Sequence, residues 1–174
     1  MNQDFVYEAK PSYTYYFIGE QKRLEQSVRR RRRRLSIIGL FQPLTSFVYG
    51  LVIGAVSRKT YIQMIELEAL ETEKAGRIRV IVQDNSSIHR CQDVRQLWSK
   101  WESMGKDLFF LPKYCSQMNR IELEWQHLKK DELVGKMFDH ELELAYAVID
   151  GVQARGERGI YRTQRVKFNS DRSG

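Results

Sequence analysis

Arg77-Ile-Arg-Val-Ile-Val-Gln-Asp-Asn85 is an apolar, β-branched run that stops abruptly at an acid, and it decides the fold. A strand over Ile78 to Gln83 carries too few polar residues for a sheet edge, so it is expected in the middle of a sheet with parallel neighbours. Just before it, Thr60 to Lys74 places Tyr61, Ile62, Ile65, Leu67, Ala69 and Leu70 among glutamates, which predicts a helix that Gly76 ends. Further upstream, Leu35 to Phe41 and Ser46 to Ala55 are two apolar runs separated by Gln42-Pro43-Leu44-Thr45, an antiparallel hairpin. Asp4 to Tyr7 and Tyr13 to Ile18, around Pro11, are aromatic and β-branched and are expected to be extended.

Downstream, Val94 to Met104 predicts a helix with Leu97, Trp98 and Trp101 at core spacing, and Leu108 to Leu111 a short strand closed by Pro112. Helices over about Arg120 to Leu133 and His140 to Ala154 complete the series, with Trp125 a packing residue. Antiparallel strands followed by helix, strand, helix, strand, helix make an α/β sandwich with a mixed sheet flanked by helices. Residues 1–155 are expected to form one domain, and 156–174, rich in Gly, Arg, Ser and Lys, a flexible basic tail.

The chemistry follows from two acids. Asp84 closes the central strand, and Glu122 lies at the start of the helix that follows the turn-forming stretch Leu111 to Asn119. If that strand and helix lie side by side, the two carboxylates can share divalent cations, as metal-dependent phosphoryl transfer requires. Each acid has an ordinary structural reading too. Asp84 before Asn85 can close a strand in an Asx turn, and Glu122 can be a first-turn glutamate favoured by the helix dipole. Glu124 competes with it, and two residues so spaced cannot share a helical face.

Val82-Gln-Asp-Asn-Ser-Ser-Ile-His89 and Leu111-Pro-Lys-Tyr-Cys-Ser-Gln-Met-Asn-Arg-Ile-Glu-Leu-Glu-Trp125 resemble the second and third acidic motifs of bacterial DDE transposases of the insertion sequence 630 family, relatives of the mariner group. Between Asp84 and Glu122 lie 37 residues, within the family's gap in the thirties. Arg120 stands where the family usually has a proline, a residue that presets the first helical turn, so a looser placement of Glu122 is expected.

The resemblance implies a ribonuclease H-like fold, a Mg²⁺ or Mn²⁺ cofactor, DNA as substrate, and metal-dependent strand cleavage and strand transfer in transposition. It aligns Glu122, through Asn119 and Ile121, with the family's last acid and leaves Glu124 as a solvated neighbour. A third ligand is then needed, and Asp4, beside Phe5, Val6 and Tyr7, is the best-placed acid, although Phe5 stands where the family usually has glutamate. A homo-oligomer is implied, as is a helix-turn-helix region that this chain has no room for. Two other outcomes stay open: a chain beginning inside the first strand would be an inactive DNA-binding remnant, and a ribonuclease H-like nuclease could act on RNA or hybrids outside transposition.

A net charge of +7 and a pI near 9.5 favour a polyanionic partner. The consecutive arginines Arg29, Arg30, Arg31, Arg32, Arg33 and Arg34 cannot pack in a core and are expected to form an exposed arm that grips DNA phosphates, or else a solvated loop. His89 is placed to touch a phosphate or orient its turn, Asn119 to contact DNA or brace its loop, and Lys129 and Lys130 to follow the DNA backbone. Cys91 and Cys115 lack the paired spacing of zinc sites or disulfide frameworks, and no apolar run is long enough to span a membrane, so a cytoplasmic protein is expected. The absence of a Gly-rich phosphate loop argues against a helicase or kinase.

Overall fold

The hairpin and the central strand anticipated above are the spine of a six-stranded mixed sheet. The computed structural model describes residues 35–113, 115, 118–136, 138 and 140–168, and the backbone of 3–9. Strands β1 (Gln3–Ala9), β2 (Leu35–Gln42), β3 (Ser46–Ile53), β4 (Ile78–Gln83), β5 (Lys106–Phe110) and β6 (Arg162–Val166) lie in the order β5-β4-β1-β2-β3-β6. β2 runs antiparallel to both β1 and β3, whereas β4 runs parallel to both β1 and β5, as its uninterrupted apolar sequence predicts.

One face of the sheet is covered by helix α1 (Arg58–Ala75), short α2 (Gln92–Arg95) and α3 (Trp98–Ser103). Ile38 and Leu40 of β2 and Ile81 of β4 meet Tyr61, Met64 and Ile65 of α1 and Trp101 of α3 there. The sequence marks both ends of α1: Ser57 accepts from the Thr60 amide, and Gly76 takes the left-handed conformation that closes the helix (φ 61°). The single helix expected over Val94 to Met104 is two helices, because the Leu97 amide bonds to Val94 one residue too early for an α turn.

α4 (Arg120–His127) and α5 (Glu141–Gly159) cover the other face. Ile37 and Phe41 of β2 and Phe47 and Tyr49 of β3 pack there with Ile121 and Trp125 of α4 and Val148 and Val152 of α5. The Trp125 ring sits 5.1 Å from that of Phe47. The helix expected over Arg120 to Leu133 changes pitch partway, winding as a π turn from Leu128 to Leu133.

The boundary expected at residue 155 is corrected. α5 continues to Gly159, and β6 pairs parallel with β3, Ser46 opposite Arg162 through Gly50 opposite Val166, so residues 156–168 belong to the fold. Residues 169–174 and the strand expected over Tyr13 to Ile18 lie outside the described residues. So do Arg29, Arg30, Arg31, Arg32, Arg33 and Arg34, and the phosphate-gripping arm expected of them stays a reading of the sequence. No described helix is long and apolar enough to cross a membrane.

Beneath α1 lies a buried ionic group. Glu68 accepts from Arg79 of β4 at 3.2 Å and lies 3.5 Å from the ammonium of Lys106 on β5, which has no exposed surface. Burial, with Arg79 adding to it and Glu68 opposing, lowers the pKa of Lys106 from 10.5 to about 8.

Candidate functional site

Asp84 follows directly on β4, and its position is set locally. One carboxylate oxygen accepts from the Ser86 amide at 2.9 Å, the Asx turn that an Asp-Asn pair favours, and lies 3.0 Å from His89 Nδ1. The same imidazole nitrogen is 3.1 Å from the Asp84 carbonyl. Asn85 Nδ2 donates to the Leu111 carbonyl at 2.5 Å and ties this turn to the end of β5. Asp84 keeps 46% of its side chain exposed while the buried imidazole holds it from beneath. It closes the strand and still presents a carboxylate to solvent.

His89, expected to touch a phosphate or orient its turn, is fully buried, its ring 4.8 Å from that of Tyr61 and its Nδ1 on Asp84. Asn119 is buried too. It is 99% buried at the start of α4, where its carbonyl accepts from the Glu122 amide, so it braces the helix that carries Glu122. With Asn119 as an extended cap residue, α4 begins at Arg120 without the proline.

Ile121, Trp125 and Leu128 form the buried stripe of α4 and its π turn. At about 100° per residue, Glu122 falls on one flank of that stripe and Glu124 on the other. Glu122 faces Asp84. Burial first, and then the negative charge of Asp84, raise its pKa above the ordinary glutamate value. Lys129, two turns on along the same flank, has its pKa lowered by burial and is held charged by Glu122. Of the two lysines expected along DNA, Lys129 thus lies within the site, while Lys130 is exposed beside it. Glu124 is not solvated: Arg155 Nε donates to it at 2.9 Å and the Tyr161 hydroxyl at 3.0 Å. Burial and this carboxylate raise the Tyr161 pKa, so the phenol stays protonated and donates.

The register of β1 sets the level of Asp4 on the sheet. Asp4 is opposite Arg79, five residues before Asp84, so at about 3.3 Å per residue it stands roughly 16 Å down the strand from that level. Its row continues through Arg79 to Lys106, the row of the ionic group under α1. Tyr7 is the β1 residue in the row of Phe41 and Val82, next to the end of β4. Phe41 belongs to the core beneath α4, whereas Glu8 shares its row with Leu40 of the opposite core. An acid beside apolar residues looks the same at either end of a strand, and the pairing with β4 alone separates them.

Two carboxylates at a half-buried place, one of them raised in pKa by burial and then by the charge of the other, are a donor set that a divalent cation neutralises. Asp84 and Glu122 supply the hard oxygen donors such an ion takes. Among the described residues no third His, Cys, Asp or Glu joins them.

The fold and the acid pair define a class. Residues 4–144 match the model of the DDE superfamily endonucleases, and the chain belongs to that family. Among solved structures, it is similar to the Mos1 transposase catalytic domain with raltegravir and Mn: 15% identity, TM-score 0.65, over 90% of this chain and 76% of that one. The mariner Mos1 paired-end complex with Mg is similar at 15% identity and a TM-score of 0.60, and the paired-end complex with Mn at 14% and 0.55. The chain spans about half the length of the Mos1 chains in those two complexes, 51% and 53%. These likenesses establish a ribonuclease H-like fold. No curated protein is a significant sequence match.

Proposed function

We propose that this chain is the catalytic domain of a mariner-like transposase of the insertion sequence 630 type, cleaving and rejoining DNA strands with Mg²⁺ or Mn²⁺ and working as a homo-oligomer. The observation that carries the reading is the pairing of a half-exposed Asp84 at the end of β4 with Glu122 on α4, near enough for the charge of one to act on the other. These two carboxylates are the metal ligands. Divalent metal, when bound, supplies Lewis acidity toward water or a DNA 3′-hydroxyl and neutralises charge at the leaving oxygen. His89 and the Ser86 amide hold the Asp84 carboxylate in one orientation, and Asn85 fixes its turn to β5. Lys129, beside Glu122, is placed to meet a DNA phosphate, with Lys130 along the same backbone. The arginines from Arg29 through Arg34 add charge for a polyanion, whose binding weakens as salt rises.

A second reading, a DNA-binding domain deficient in cleavage, is favoured by the register that places Tyr7 rather than an acid in the row next to the end of β4. Nicking of supercoiled plasmid in Mn²⁺ separates the two. Activity abolished by Asp84→Ala and by Glu122→Ala, and kept by Asp4→Ala, supports the endonuclease. A folded, DNA-binding chain that nicks only as Tyr7→Asp supports the deficient domain. Cleavage of RNA–DNA hybrids without strand joining would overturn the transposase reading.

A further inference from the structure

The two glutamates of α4 flank its buried stripe on opposite sides, so any rolling of the helix that turns Glu124 toward solvent also swings Glu122 inward, off the angle it holds beside Asp84. The apolar stripe sets which face is buried, but burial is not directional and leaves the exact rotation less sharply fixed. A guanidinium fork is directional.

Arg155 of α5 places that fork against α4 and the turn after it. Its Nε donates to Glu124 at 2.9 Å, Nη1 to Asp131 at 3.3 Å and Nη2 to His127 Nδ1 at 3.2 Å. The Tyr161 hydroxyl, on the link from α5 to β6, donates to the same Glu124 oxygen at 3.0 Å. Arg155 and Glu124 each keep only 16% of their side chains exposed, so the pair is shielded from the screening that makes surface ion pairs weak.

α5 can come this close because of its glycines. A Cβ at Gly151 would lie 2.9 Å from both Leu128 Cδ1 and Glu132 Cβ, and one at Gly156 would lie 2.5 Å from the Thr163 methyl. The π turn over Leu128–Leu133 carries Asp131 and Glu132 to α5, where Glu132 pairs with Arg158. α5 and the link that follows it thus grip α4 and its π turn on the flank away from Glu122.

We propose that Arg155 is a positioning residue: by holding Glu124 it fixes the rotation of α4, and with it the turn of Glu122 toward Asp84. The inference rests on the reading of Asp84 and Glu122 as the cation site. Its test is Mn²⁺ affinity, measured by the electron paramagnetic resonance signal of free Mn²⁺, in the unaltered chain and in Asp84→Asn, Arg155→Met, Arg155→Lys and Arg158→Met. Arg155→Met is expected to weaken Mn²⁺ binding about tenfold, the usual effect of removing a group that orients a ligand. Arg155→Lys, which keeps the charge without the fork, recovers part of it. Arg158→Met removes a neighbouring ion pair of α5 that does not reach Glu124, and leaves the affinity unchanged even where it lowers Tm. Equal affinities in Arg155→Met and the unaltered chain overturn the proposal.

If the unaltered chain takes up no Mn²⁺, or Asp84→Asn binds it equally well, the cation-site reading fails instead. The clamp is then judged by NMR contacts between the Trp125 and Phe47 rings. Their loss in Arg155→Met upholds the fixed rotation, and their persistence refutes it.

Discussion

Replacing Lys106 by Met removes a buried ammonium that the fold holds at a cost. In the folded chain its pKa is lowered to about 8 against an ordinary 10.5, chiefly by burial, and that difference corresponds to roughly 3 kcal/mol. Below pH 8 the lysine is charged in both folded and unfolded states, so the whole cost is present. Between pH 8 and 10.5 the unfolded chain keeps a proton the folded chain has released, and stability rises with pH by up to about 1.4 kcal/mol per pH unit. Above 10.5 both forms are neutral. Arg79 still pairs with Glu68 at 3.2 Å after the change, so no buried carboxylate is stranded. Lys106→Met is therefore expected to be more stable than the unaltered chain by up to roughly 3 kcal/mol at pH 7, the gap closing toward pH 10. Tyr161, whose raised pKa lowers stability above about pH 10, is common to both proteins and cancels in the difference. Urea unfolding followed by the fluorescence of buried Trp101 and Trp125 between pH 7 and 10 measures it. A gap that does not change with pH, or a variant less stable at pH 7, would refute the argument.

Three further outcomes are expected. Asp84→Asn removes the like charge facing Glu122 and brings the raised Glu122 pKa down toward that of an ordinary glutamate, though burial keeps part of the elevation; carboxyl ¹³C chemical shifts followed against pH read it directly. His89→Ala removes one of the groups that orient the Asp84 carboxylate while keeping its charge, and calorimetry should find Mn²⁺ binding about tenfold weaker, an effect a merely space-filling histidine would not produce. Ile160, β-branched, exposed and left-handed at φ 55°, carries strain that glycine lacks: Ile160→Gly should stabilise the chain by about 1 kcal/mol and raise Tm by roughly 2–4 °C in a thermal scan.

The interior of the sheet is legible because burial writes itself into composition. Ile78 to Gln83 can only be a central strand, and Ser57 and Gly76 bracket α1 in chemistry that a sequence shows directly. β6 is hidden for the opposite reason. Arg162-Thr-Gln-Arg-Val166 is an edge strand, with one side open to solvent, and so carries no apolar alternation to betray it. Asp84 and Glu122 announce themselves through their motifs, but the burial of His89 depends on Tyr61 from a helix 28 residues earlier, and that of Glu124 on Arg155, 31 residues later. The level of Asp4 on the sheet is fixed by pairing with Arg79, which nothing local records.

The sixth strand also determines how this domain can be cut and fused. A chain trimmed at residue 155 would keep every residue of the acid pair yet strip β3 of its parallel partner and uncover Gly50, on which the Phe168 ring lies. Eight residues of bare β3, apolar over Phe47 to Ile53, would then be offered to any other chain able to add a strand, the usual route from a well-folded domain to an aggregating one. The same edge, sheathed by a strand that carries Arg162, Arg165 and Lys167 along or just beyond it, is charged and self-repelling. What reads in the sequence as a trailing basic remnant is the selvedge that keeps the sheet from unravelling into its neighbours.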